Sequence, residues 1–277
     1  MRKFFVCFIS AVVLISLFVF LVVSKDKNIK NNNSGENATS VPVLIYHHFL
    51  NDEDKAKYEP TKDYSVSLSV FEEQLKYLKD NGYKSLTPSE MLCWKKNECK
   101  IPLKSFMITI DDGQKSVMKY AYPLLKKYGF TALSFVISSR IGDYGEWDPS
   151  TYQYLSADDL KDNGVIYFGS HSDDMHRYVD DKKRLYTMSY KEIYDDVKLS
   201  MGKINTKYFA YPFNTYNKDF TKALENAGYQ LAFRGQSRKT IQSENRYMIS
   251  RIFVSDNMES FKAIFETDKY DYKVEKK

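Results

Sequence analysis

The chain has 277 residues, 43% of them hydrophobic and 16% aromatic, enough to bury one substantial core and too apolar for a disordered protein. Its formal charge is +5, from 41 Lys and Arg against 36 Asp and Glu, and the basic residues are scattered rather than set in a stripe interleaved with aromatics. That pattern excludes nucleic acid as the expected partner. A mildly basic surface suits anionic wall polymers or lipid headgroups, and ordinary solvated Lys residues equally.

In chain order, Arg2 and Lys3 precede an uncharged apolar run at 4–23, about 20 residues, which is the length a helix needs to cross a bilayer. The flanking positive charges predict a cytoplasmic N-terminus (1–3) and an exported remainder. Leu21, Val22, Val23 and Ser24 offer no small-x-small cleavage site, so the expectation is an uncleaved signal anchor at the cell membrane. Residues 24–41 are polar and Asn-rich and read as a flexible tether. Cys93 and Cys99 are close enough for a local disulfide at a helix end, and two free thiols are the alternative.

From residue 42 to 265, short β-rich runs alternate with helical patterns, and a charged tail follows at 266–277. The predicted strands are 43–46, 83–86, 106–110, 132–137, 166–169, 208–211, 230–233 and 248–254. Ser69 with Glu72, Thr87 with Glu90, Ser156 with Asp159 and Ser189 with Glu192 resemble capping boxes at helix starts. Gly82, Gly129, Gly164 and Gly228 are candidate helix stops. Eight strands alternating with helices predict a parallel α/β architecture closed into a barrel, with its chemistry on loops after the strand C-termini.

Four segments carry candidate chemistry. In FMITIDDGQ an apolar strand ends in Asp111, Asp112 and Gly113; a tight turn explains these residues by itself, but adjacent carboxylates also point to different sides and can serve different roles. The next strand-end loop, SHSDDMH, holds His171 and His176, two of only four His. A strand-end Asp with two His makes a three-ligand metal site with open positions, as hydrolysis requires. In YFAYPFN, Pro212 ends a strand and can hold the backbone N–H of Phe213 toward a pocket, or simply rigidify a turn. VLIYHHF puts His47 and His48 at the end of the first strand, where alternation lets one of them face the pocket.

The motifs ITIDDG, SHSDDMH and AYPF resemble, in order and type, those of the carbohydrate esterase family 4 polysaccharide deacetylases, whose NodB homology domain is a distorted (β/α) barrel. The resemblance implies that Asp111 is the catalytic base and that Asp112, His171 and His176 hold a divalent metal, usually Zn2+, sometimes Co2+ or Ni2+. It implies an N-acetylated polysaccharide as substrate and acetate as product. Two positions depart from the family pattern. Ala210 stands where an Arg usually orients the base, and no His follows His176, so the usual C-terminal source of the acid is missing. Both departures occur in the permuted branch containing the poly-N-acetylglucosamine deacetylases of biofilm matrices, which is similar also in an early Tyr-His, here Tyr46 with His47, and a late Arg-containing strand, here Arg251 in ISRIFV. The likeness implies His47 as the acid and Arg251 as the partner of Asp111, a structural ion pair being the alternative for Arg251. Peptidoglycan, a small acetyl ester or amide, and noncatalytic glycan binding are the competing readings. The aromatic run Tyr144, Trp147, Tyr152 and Tyr154 reads either as a substrate lip or as residues pinning a loop.

Overall fold

The computed structural model describes residues 37–59, 61, 64–142 and 145–267. The expected membrane anchor at 4–23, most of the tether, Tyr144 and nearly all of the charged tail lie outside the described residues. Among the described residues no helix is long and apolar enough to cross a membrane.

Seven parallel strands close into a barrel: β1 (Val43–Tyr46), β2 (Ser105–Ile110), β3 (Ala132–Val136), β4 (Ile166–Ser170), β5 (Tyr208–Ala210), β6 (Leu231–Gly235) and β7 (Ile249–Phe253). Each pairs with its neighbour in sequence, and β7 returns to β1 through Ile252 with Leu44 and Phe253 with Ile45. β1 and β2 are buried at every position, as strands covered on both faces must be, which explains their unbroken apolar runs. The ring has seven members rather than the eight expected. The predicted strand at 83–86 reduces to Lys84–Ser85, pairing only with Ser105 and Phe106 at the start of β2. An exposed Lys beside a Ser cannot fill both faces of a barrel strand, and β1 pairs directly with β2 instead.

Helices cover the outside. Leu68–Asp80 buries Phe71, Gln74, Leu75 and Leu78, and Lys218–Ala227 buries Phe220, Ala223, Leu224 and Ala227, the one-sided spacing of an amphipathic helix. The boxes at Thr87 and Ser189 cap Pro88–Lys95 and Tyr190–Ile204 as expected, and Gly129 and Gly228 end their helices in the left-handed conformation. Two expectations are corrected. Ser69 is inside a helix whose N-cap is Ser67, and its hydroxyl bonds Asp52 rather than closing a box with Glu72. The box at Ser156 is formed but caps only the 3-10 turn Ala157–Asp159, so Gly164 ends no helix.

The packed body includes residues before 42. Ser40–Val41 pairs with Thr240–Ile241, and Trp94 donates to the Ala38 carbonyl at 3.1 Å. Trp94, Met91 and Ile101 pack with inward residues of the strands, among them Val43, Met107 and Leu133. The helix carrying Trp94 is stapled by a Cys93–Cys99 disulfide.

Candidate active site

Strand periodicity builds the site. Val43, Met107, Phe135 and Ile249 belong to one packed cluster, while Leu44, Ile108, Val136 and Ile252, at positions of the opposite parity along the same strands, belong to another. Continuing the inward set two residues at a time reaches His47 after β1, Thr109 and Asp111 at the end of β2, and Arg251 on β7. The seven residues expected to hold the metal or act in the chemistry, His47, Asp111, Asp112, His171, His176, Phe213 and Arg251, line one cleft of about 650 Å³.

Arg251 grips Asp111 with two parallel hydrogen bonds, Nη1 to Oδ1 at 2.7 Å and Nη2 to Oδ2 at 2.9 Å, and Nη1 also donates to the Thr109 hydroxyl at 3.0 Å. Both partners are buried. Burial by itself raises the Asp111 pKa, but the Arg251 guanidinium, with help from His171 and His47, outweighs it and holds the carboxyl well below the usual carboxylate range. Asp111 is therefore ionised at neutral pH.

Asp112 and Gly113 are both left-handed, with φ of 73° and 71°. A Cβ on Gly113 would come within 2.9 Å of Val136, so only glycine lets the turn lie against β3. The bend leaves Asp112 Oδ1 at 3.7 Å from His171 Nε2 and 3.5 Å from His176 Nε2. His171 Nδ1 lies 2.8 Å from the Ala210 carbonyl, so Nδ1 carries the proton and the lone pair of Nε2 faces Asp112. Burial first, then His176, lower the His171 pKa to about 4 against the pull of Asp111 and Asp112, which keeps the imidazole neutral, as a metal ligand must be.

The three residues fit a divalent metal. Their donor atoms lie within 4.8 Å of one another. Buried side-chain polar atoms without a hydrogen-bond partner also concentrate here: Asp112 Oδ1, Gln114 Oε1 and Arg251 Nε all belong to residues of the cleft wall. An unpaired buried carboxylate oxygen facing two neutral imidazoles costs free energy that a cation relieves.

His48 faces away from the cleft. Buried, it contacts Glu59 through Nδ1 at 3.2 Å and packs on Tyr152 and Trp147. His48→Ala should therefore lower stability by about 1–3 kcal/mol, the cost of stripping a partner from a buried polar group, and leave turnover near wild type. Urea unfolding read beside acetate release checks this; a turnover defect without a stability defect would assign His48 to the chemistry.

Several residues of the site carried no clear signal in the sequence. Tyr64, Tyr178 and Lys183 line the cleft, but in sequence they are indistinguishable from solvated residues. Asp196 accepts hydrogen bonds from the backbone N–H groups of Asp173 and Asp174, both at 2.8 Å, and so fixes the loop between His171 and His176. Its pKa is raised to about 6 by burial, against those two bonds. A detectable trace existed here, because Asp196 interrupts the buried face of Ile193, Val197, Ser200 and Ile204. Of the aromatic run, Trp147 packs on Tyr120 and His48, whereas Tyr152 and Tyr154 line the cleft.

A parallel barrel whose strand ends gather a carboxylate, two imidazoles and a separate Arg-held carboxylate has the parts of a metal-assisted hydrolase. The model of the polysaccharide deacetylase family matches residues 100–232. The poly-beta-1,6-N-acetyl-D-glucosamine N-deacetylase of Staphylococcus aureus strain MRSA252 is 34% identical over 203 residues, covering 71% of this chain and 70% of that protein. The Staphylococcus epidermidis protein of the same description is 30% identical with the same coverage. Among solved structures, Streptococcus pyogenes deacetylase PplD in complex with acetate aligns with a TM-score of 0.70 at 23% identity, over 84% of this chain and 99% of that one. IcaB from Ammonifex degensii aligns at 0.68 and 24%, over 83% and 97%. At such identities the structures establish the common fold. The chain belongs to the polysaccharide deacetylase family.

Proposed function

We propose that this protein hydrolyses the acetamide of N-acetylglucosamine units in a β-1,6-linked surface polysaccharide of the biofilm matrix or cell wall, releasing acetate and leaving free amines. The observation that carries the reading is the buried Arg251–Asp111 pair beside the Asp112, His171 and His176 cluster. A glycan-binding module or a bare metal site has no use for a second, separately oriented carboxylate. The similarity to the staphylococcal N-deacetylases supports the choice of polymer.

Asp112, His171 and His176 would hold the metal, Zn2+ by preference with Co2+ or Ni2+ as alternatives. When bound, it supplies Lewis acidity and lowers the pKa of a water. Asp111, kept ionised and oriented by Arg251, takes a proton from the attacking water. The Phe213 N–H donates to the oxyanion as it develops. His47, half-buried and stacked on Phe253 at 6.2 Å, gives a proton to the departing amine, which is otherwise a poor leaving group. The apolar run at 4–23 and the Cys93–Cys99 disulfide support a membrane-anchored domain working outside the cytoplasm.

The test is acetate release from linear poly-β-1,6-N-acetylglucosamine and from peptidoglycan, before and after chelation. Release from the linear polymer, loss of at least roughly 100-fold on chelation and recovery with Zn2+ or Co2+ are expected. Full activity after rigorous metal removal would sink the metal assignment, and preference for peptidoglycan would replace the substrate.

A further inference from the structure

Phe213 and Asn214 are consecutive non-glycine residues in the left-handed region, each with φ of 52°. Such a turn is strained and persists only where its surroundings hold it. Two clamps do so. The Asn214 amide brackets the backbone of Gly235, Nδ2 donating to its carbonyl at 2.8 Å and Oδ1 accepting from its N–H at 2.8 Å. The second clamp is Lys183, whose Nζ donates to the Phe213 carbonyl at 3.3 Å and to the Thr215 hydroxyl at 2.9 Å.

Lys183 is not behaving as a solvated surface lysine. It is half-buried, lines the cleft, and makes no ion pair with a carboxylate among the described residues. Its charge is directed instead at two neutral oxygens of one turn, where a charged donor makes the stronger kind of hydrogen bond. It lies in the strand pair Tyr178–Val179 and Lys182–Lys183, which follows His176 directly in the chain. The His176 ring in turn stacks on Phe213, 4.1 Å between centroids. The element leaving the second His ligand therefore reaches back and grips the turn bearing the proposed oxyanion donor.

We propose that Lys183 is a positioning residue: its ammonium holds Phe213 in the left-handed conformation that aims the Phe213 N–H at the developing oxyanion. The inference rests on the reading of Phe213 given above. A clamp of this kind acts on the transition state more than on substrate binding, because the N–H is needed only as negative charge accumulates.

The experiment compares Lys183→Met, Lys183→Arg and wild type in the full chain, measuring kcat and KM for acetate release from N-acetylglucosamine oligomers together with bound metal. Lys183→Met should lower kcat roughly 10- to 100-fold, the scale of a misplaced oxyanion donor, with KM and metal content within about twofold of wild type. Lys183→Arg, which keeps a charged donor, should recover much of the loss. Wild-type kcat in Lys183→Met overturns the inference, as does a loss shared with KM or with metal, the mark of a hairpin that is merely disturbed. If Lys183→Met does not fold, Lys183→Gln is read by the same criteria. Failure of the wild type to release acetate from any of these oligomers would instead overturn the functional reading on which the inference rests.

Discussion

Asp111→Asn is expected to lower turnover by about 10,000-fold, at the upper end of the general-base range, while the purified protein keeps its metal. The substitution removes a proton acceptor and leaves Asp112, His171 and His176 unchanged. It also carries a stability cost that the site geometry makes specific. Arg251 is 2% exposed and gives two hydrogen bonds to the Asp111 carboxylate, so an amide there leaves a buried guanidinium without its counter-charge. Breaking one side of such a pair costs about 3–5 kcal/mol, and the melting temperature should fall accordingly. Arg251→Met combined with Asp111→Asn should recover part of that stability and none of the activity. Asp112→Asn differs in kind: it withdraws the oxygen facing both imidazoles, so metal and turnover should disappear together. Metal analysis beside the kinetics decides the matter, and equal metal loss in the Asp111 and Asp112 variants would show that the two roles are wrongly divided.

His47→Ala is expected to reduce turnover on the amide substrate by about 100- to 10,000-fold with metal content intact. Its ring lies in the cleft between Tyr64 and Phe253, at 6.3 and 6.2 Å. Because an amine leaves poorly without a proton, the defect should shrink on an activated acetyl ester, whose leaving group needs none. A defect of equal size on that ester would remove His47 from the role of acid. The same would follow if His48→Ala, with its buried Glu59 contact, proved the more severe variant on the amide.

Much of this was legible in the sequence because it depends on local order. A buried parallel strand must be apolar throughout, so SFMITI announces β2, and the sudden appearance of Asp111 and Asp112 marks the strand end where a barrel keeps its chemistry. Period-two alternation separates His47 from His48 without any coordinates, since adjacent residues on extended backbone face opposite ways. The capping boxes at Thr87 and Ser189 were readable for the same reason, each closing within four residues.

Only the tertiary structure decided what depends on distant residues meeting. Asp111 and Arg251 are 140 residues apart, and nothing near either one distinguishes an orienting pair from an incidental charge. Closure of the ring at seven strands follows from β1 pairing directly with β2, a competition between partners that the weak run at 83–86 could not reveal about itself. Lys183 looks in sequence like any lysine of a solvated turn, and becomes particular when its Nζ is found on the Phe213 carbonyl 30 residues away. Residue type and spacing record what each segment can do, whereas pairing, burial and hydrogen-bond choice are settled among segments that come together only as the barrel closes.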